Sequence, residues 1–198
     1  MSARPNLERA ESACATRAFF SPFRGDSQVY SRQWRLDDHP FDDAIVQRNQ
    51  GGHFLRIGRR SLPNHIYHVT TITEGRKDIF LDLRLGRMVV QSLMRIERSD
   101  MARTLAFVVM PNHLHWLMQV QAGKNLSATV GSLKSQSGRL IGQATSTTGQ
   151  VWQKGFYDSA MRRDADMIRV ARYIVANPLR AGLAREIGDY SLWNSIWV

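Results

Sequence analysis

From Ser61 onward, apolar and polar residues recur with regular periods, and those periods predict an order of elements. Ile66–Thr73 (IYHVTTIT) is dominated by β-branched residues and predicts a strand. Asp82 can cap a helix over 83–98, in which Leu85, Met88, Val89, Leu93 and Ile96 fall on one face. Thr104–Val109 (TLAFVV) reads as a second strand, Met110-Pro111-Asn112 as a turn, and His113–Val120 (HLHWLMQV) as the returning strand. Ser127 can cap a second helix to about Ile141, with Val130, Leu133, Leu140 and Ile141 inward. After a loop at 144–150, Val151–Met161 predicts another strand. Asp164 caps a third helix with an inward stripe of Ile168, Ala171, Ile174 and Val175. That helix must end before Asn177-Pro178, because proline disfavours helical backbone in the residue ahead of it. The order β α β β α β α predicts an α+β fold, an antiparallel sheet with helices packed on one face.

Residues 1–60 show no such period. They carry Pro5, Pro22 and Pro40 among mixed charges, and they predict a poorly ordered or accessory extension with a short helix near Phe41–Arg48. Phe19, Phe20, Phe23 and Trp34 could dock part of it on the body, which spans 61–198. Early acidic residues (Glu8, Glu11) and the lack of an apolar stretch predict no signal peptide. No apolar run approaches the roughly 20 residues that span a bilayer. The single cysteine, Cys14, excludes an intrachain disulfide framework and a cysteine-based zinc site, and fits a reducing cytoplasm. Charge adds a partner. Lysine plus arginine number 27 against 17 acidic residues, a net charge of +10. An arginine-rich excess of this kind predicts a polyanion, first of all nucleic acid, the bland alternative being a solvated basic surface.

The candidate chemistry lies on the third strand. Side chains alternate faces along a strand, so Leu114, Trp116, Met118 and Val120 make a core side. His113, His115, Leu117 and Gln119 share the other, open side. Two neighbouring imidazoles can grip a divalent ion or can be two inconsequential surface histidines. On the third helix, Tyr173 and Asn177 are four residues apart and share a face pointing away from the deepest core. Tyrosine, with a pKa of about 10, attacks poorly unless a metal or cation stabilises its charge. Arg169 and Arg172 are close enough in sequence to bind phosphate. Tyr157 is a rival nucleophile without a one-turn asparagine partner. His65 and His68, three apart on the first strand, face opposite ways, so at most one can face the histidine pair. Lys124, Lys134 and Arg139, in and before the second helix, are candidate DNA contacts or a solvated face.

The run Met110-Pro111-Asn112-His113-Leu114-His115, then Trp152-Gln153, Phe156 and Arg162, then Tyr173–Leu183 (YIVANPLRAGL), resembles the HUH single-tyrosine transposases. More narrowly it resembles the REP-associated tyrosine transposases. The resemblance covers about 61–195 and implies a ferredoxin-like or RRM-like sheet. It implies that His113, His115 and Asn177 hold Mg²⁺ or Mn²⁺, and that Tyr173 attacks a phosphate of single-stranded DNA. The products would be a 5′-phosphotyrosine and a free 3′-OH, later rejoined without ATP. The DNA would be imperfect palindromes or hairpins, met by Lys124, Lys134, Arg139, Arg162, Arg169 and Arg172. The setting would be the bacterial cytoplasm, at the nucleoid, with the protein as monomer or homodimer and no membrane partner. The competing class is a non-catalytic binder of single-stranded DNA or RNA hairpins on an RRM-like sheet, which would form no covalent adduct. A zinc hydrolase ranks last, having no evident carboxylate ligand.

Overall fold

The computed structural model describes residues 64–146, 149–161 and 164–197. The expected accessory segment 1–60 with its short helix, and Arg162, lie outside the described residues. Along the chain the elements are β1 (Ile66–Ile72), α1 (Leu83–Arg98), β2 (Ala102–Met110), β3 (His113–Val120) and α2 (Leu126–Thr145). They continue as β4 (Tyr157–Ala160), α3 (Asp164–Val175), α4 (Asn177–Arg180) and β5 (Trp193–Ser195). As expected, the Asp82 carboxylate caps α1, accepting from the Arg84 backbone N–H at 2.9 Å. The cap of α2 is Asn125 rather than Ser127, its side chain accepting from the Ala128 N–H at 3.1 Å.

The five strands form one antiparallel sheet in the order β4-β1-β3-β2-β5. β1 and β2 run parallel with β3 inserted between them and α1 as their crossover, the split βαβ arrangement of ferredoxin-like folds. Two details differ from the sequence reading. The expected strand at 151–161 is paired only at Tyr157–Ala160; before it, Trp152 bridges Thr73 and the chain turns through Gly155 at φ 85°. At the opposite edge, the unforeseen β5 pairs with β2, and the Tyr190 hydroxyl ties its approach by donating to the Val109 carbonyl at 2.6 Å.

The apolar alternation decides the layers. Leu85, Val89, Leu93 and Ile96 of α1 and Val130, Leu133 and Ile141 of α2 pack against Val69, Phe107, Leu114, Trp116 and Met118 on one sheet face. Trp116, wholly buried, donates its indole N–H to Thr104 Oγ1 at 3.2 Å. So two helices share one face, as expected. The second face is not open, because a bulge between Thr104 and Ala106 sends both Leu105 and Ala106 to it. With Val108, Met110 and Leu117 these residues make a second apolar surface, and α3 covers it with Val170, Ala171, Tyr173 and Ile174. The α3 stripe keeps the expected Ala171, Ile174 and Val175, but Ile168 is exposed, Val170 takes its place, and Tyr173 turns toward the sheet. Among the described residues, no helix is long and apolar enough to cross a membrane.

Gly86 of α1 lies where a Cβ would collide with a δ-methyl of the buried Leu192. Overpacking a core costs about 1–3 kcal/mol, whereas alanine's better helix propensity returns about 1 kcal/mol. Gly86→Ala is expected to lower the unfolding free energy by about 1 kcal/mol net. A urea midpoint equal to or above wild type would refute this packing argument.

Candidate active site

The site is assembled around the β2–β3 turn. Its Pro111 and Asn112 carbonyls are held by the Phe80 N–H at 3.0 Å and the Thr73 N–H at 2.9 Å. The Thr73 hydroxyl also donates to the Asn112 carbonyl, at 3.0 Å. The turn thereby fixes the start of β3. Asn112 then orients the first histidine, its Oδ1 lying 2.7 Å from His113 Nδ1. A side-chain oxygen acceptor there places the His113 proton on Nδ1, which makes Nε2 the ligating nitrogen.

His113 and His115 stand together on the second face, half-buried and buried respectively. Their ring centroids are 4.8 Å apart at 87°. With metal–nitrogen bonds of about 2.1 Å, two imidazoles sharing an ion hold their centroids roughly 5 Å apart. The spacing of the pair is that of two imidazoles sharing one ion. Opposite His115 in the ladder sits Thr70 of β1, and His68 lies on the same face one pleat away. Thr70 Oγ1 is 3.0 Å and His68 Nε2 is 3.1 Å from His115 Nδ1. Among the described residues, no three His, Cys, Asp or Glu side chains are grouped to hold a metal, so a third protein ligand would have to be of another type.

α3 brings the tyrosine. Tyr173 is 7% exposed, and its ring centroid lies 6.1 Å from that of His115 in an edge-on contact. The Arg180 guanidinium carbon sits 4.7 Å from the centroid of the same ring, a cation–π contact. Asn177, one turn on, is buried and donates its Nδ2 to the carbonyls of Tyr173 at 2.9 Å and Ile174 at 3.3 Å. Both partners are carbonyls, so the amide must present its NH₂ to them and turn Oδ1 away from the helix end. Tyr157 lies opposite Thr70 on β4, on the same sheet face, but two strand spacings from His115, roughly 10 Å.

The basic residues are scattered by comparison. Arg169 and Arg172 are exposed on α3, the site's own helix. Arg139 is exposed on α2, which packs against the other sheet face, and Lys124 is exposed in the loop before that helix. Lys134 donates its Nζ to the carbonyls of Gln153 and Gly155, which pins the segment before β4 onto α2. Four residues that sequence reasoning did not assign to the site belong to it by position: His68, Thr70, Asn112 and Arg180. Face parity had allowed His65 or His68, and the register selects His68.

Burial pushes His68 down to about 4, and holds His115 well below its ordinary value. For His115 the positive neighbours His113, His68 and Arg180 add to burial in the same direction. A depressed histidine binds its proton in the unfolded chain first. Stability is therefore full above about pH 6.5 and declines as pH falls toward about 4. For His68 the loss reaches up to about 3 kcal/mol at 1.36 kcal/mol per unit. Urea midpoints of the metal-free protein at pH 7 and pH 5 check this, with a shallower slope expected for His68→Gln. A flat response in the wild type would show that these rings are not buried as described.

The family model described as "Transposase IS200 like" matches residues 61–177, more than half of the chain. A REP-associated tyrosine transposase of Escherichia coli (strain K12) is 24% identical over 105 residues, 52% of this chain and 61% of that protein. A Haemophilus influenzae relative, provisionally given the same designation, is 26% identical over 97 residues, 44% of this chain and 55% of its own. The chain thus spans about three fifths of the length of these curated relatives. Among solved structures, a REP-associated tyrosine transposase bound to a REP hairpin is similar in fold. It has a TM-score of 0.59 at 20% identity, over 68% of this chain and 79% of that one.

Proposed function

This chain belongs to the IS200-like transposase family, and from that premise we propose that it cuts and rejoins single-stranded DNA at hairpins through Tyr173. The observation that carries the reading is the packing of Tyr173 on His115, beside His113, at a 6.1 Å centroid distance. His113 and His115, with Asn177 Oδ1 as third donor, would hold one Mg²⁺ or Mn²⁺. Bound there, the ion supplies Lewis-acid polarisation of the scissile phosphate.

The chain's own residues do the rest. Tyr173 Oη forms the new O–P bond as the bond from phosphorus to the 3′ oxygen breaks; the phenol proton passes to water, and the leaving oxygen takes a proton from water to become a 3′-OH. The 5′-phosphotyrosine conserves the bond energy, so a 3′-OH can displace the tyrosine and reseal the strand. Arg180, stacked on the nucleophile's ring, supplies positive charge beside the developing phenolate and the phosphate. Arg169 and Arg172 extend that charge along α3, and Arg162, Lys124 and Arg139 are further candidate contacts to the hairpin backbone. Lys134 is left out of this set because its ammonium holds the 153–155 segment. The working place is bacterial DNA in the cytoplasm.

Incubating the protein and Mn²⁺ with end-labelled single-stranded hairpins, followed by denaturing gels, tests the reading. The expected result is a protease-sensitive covalent adduct. Binding should prefer hairpins over linear single strands and plain duplex, and should weaken steeply with salt as phosphate contacts release counterions. Tight hairpin binding with no adduct under any divalent ion would instead select the non-catalytic binder.

A further inference from the structure

Beside the ligating pair lies a histidine that the cutting step does not use. We propose that His68, assisted by Thr70, is a positioning residue that holds the proton of His115 on Nδ1 and so keeps the Nε2 lone pair for the metal. The inference rests on the metal-site reading above.

The geometry limits the alternatives. His68 Nε2 and His115 Nδ1 are 3.1 Å apart, so one proton lies between two neutral rings. Either His115 Nδ1–H donates to His68, or His68 Nε2–H donates to His115. Only the first leaves the lone pair of His115 on Nε2, where a metal can take it.

Thr70 separates the two arrangements. Its Oγ1 is 3.0 Å from the same Nδ1. When Nδ1 carries the proton, one N–H is shared between two acceptors, a common three-centre bond. When Nδ1 is bare, two donors compete for a single in-plane lone pair, and one is left poorly bonded in a buried place. In the first arrangement no two donors compete for that lone pair. His68 Nε2 is taken up by His115, and His68 does not join the pair as a third ligand, since no three-residue ligand group exists among the described residues. Each of the two histidines thus has its Nδ1 held from behind: His113 by Asn112 of its own turn, His115 by two residues of the neighbouring strand.

The test measures Mn²⁺ affinity by calorimetry for the full-length wild type, His68→Phe, His68→Gln and the His113→Ala/His115→Ala double variant, with hairpin affinity alongside. His68→Phe keeps bulk but removes the acceptor, and should weaken Mn²⁺ binding about 10–100-fold with hairpin affinity unchanged. His68→Gln restores an acceptor oxygen and should recover most of that loss. Long-range ¹H–¹⁵N spectra of the metal-free wild type should show His115 protonated on Nδ1, a readout that depends on no variant folding. The Nε2–H form, or wild-type Mn²⁺ affinity in His68→Phe, overturns the proposal for His68. If the double variant also binds Mn²⁺ like wild type, the metal site itself is wrong and the proposal falls with it. If the double variant loses Mn²⁺ while His68→Phe retains it, the role of His68 alone is rejected.

Discussion

Tyr173→Phe is expected to abolish the covalent DNA adduct and strand cleavage while leaving the fold and the hairpin affinity in place. The substitution removes one oxygen from a ring that is already seated. The phenyl still packs with Val170, Ala171 and Ile174 against β2 and β3, and still offers its face to Arg180. Loss of a single hydroxyl hydrogen bond costs about 1 kcal/mol of stability. Loss of the nucleophile costs far more, on the order of 10⁴-fold or beyond in turnover. The two effects differ enough in size that thermal unfolding and adduct assays separate them cleanly. Tyr157→Phe is the control. Tyr157 shares the sheet face but stands two strands from His115, so its variant should still form the adduct. Peptide mapping that finds DNA on Tyr157, or an adduct in Tyr173→Phe, would overturn the assignment.

Removing the histidine pair should be comparably severe by a different route. A bound ion contributes several kcal/mol of charge stabilisation to phosphate chemistry, which corresponds to about 10³-fold or more in rate. His113→Ala and His115→Ala are each expected to lose Mn²⁺ binding and cleavage while retaining hairpin affinity. Their effects on stability should differ, because His113 is half-buried at the turn whereas His115 is 2% exposed. Truncating His115 opens a gap under α3 and strips His68 Nε2 and Thr70 Oγ1 of a partner. An orphaned buried polar group costs about 1–3 kcal/mol. So His115→Ala should also show a lower urea midpoint, and His113→Ala should not. Cleavage by the double variant at wild-type rate in the presence of a chelator would eliminate the metal.

Much of this site could be read along the chain. The alternation in His113–Val120 places the two histidines on one face and Trp116 with Met118 on the other, and the structure keeps that division. The motif pair in which Tyr173 precedes Asn177 by one helical turn could likewise be read, since both spacings are short. The expected α3 stripe holds at Ala171, Ile174 and Val175 and fails at Ile168, whose place Val170 takes. Ile168 and Val170 are equally plausible inward residues by hydropathy, and only the apolar surface that receives the helix decides between them. Arg180 lies in the same quoted run, yet nothing in its spacing announces that it would stack on Tyr173. Lys134 looked like a surface cation until two backbone carbonyls were found beneath it.

By itself the sequence determined the elements from β1 to α3, the cap at Asp82, the sidedness of β3 and the residues of the histidine and tyrosine motifs. These depend on periods of two and 3.6 residues, which are local properties of the backbone. The tertiary structure alone decided that α3 closes over the histidine face, that β5 extends the sheet at β2, and that His68 and Thr70 meet His115 across β1 and β3. Each of those depends on strand register or helix docking. Register and docking are set by how whole apolar surfaces fit together, and no short window of sequence contains both partners.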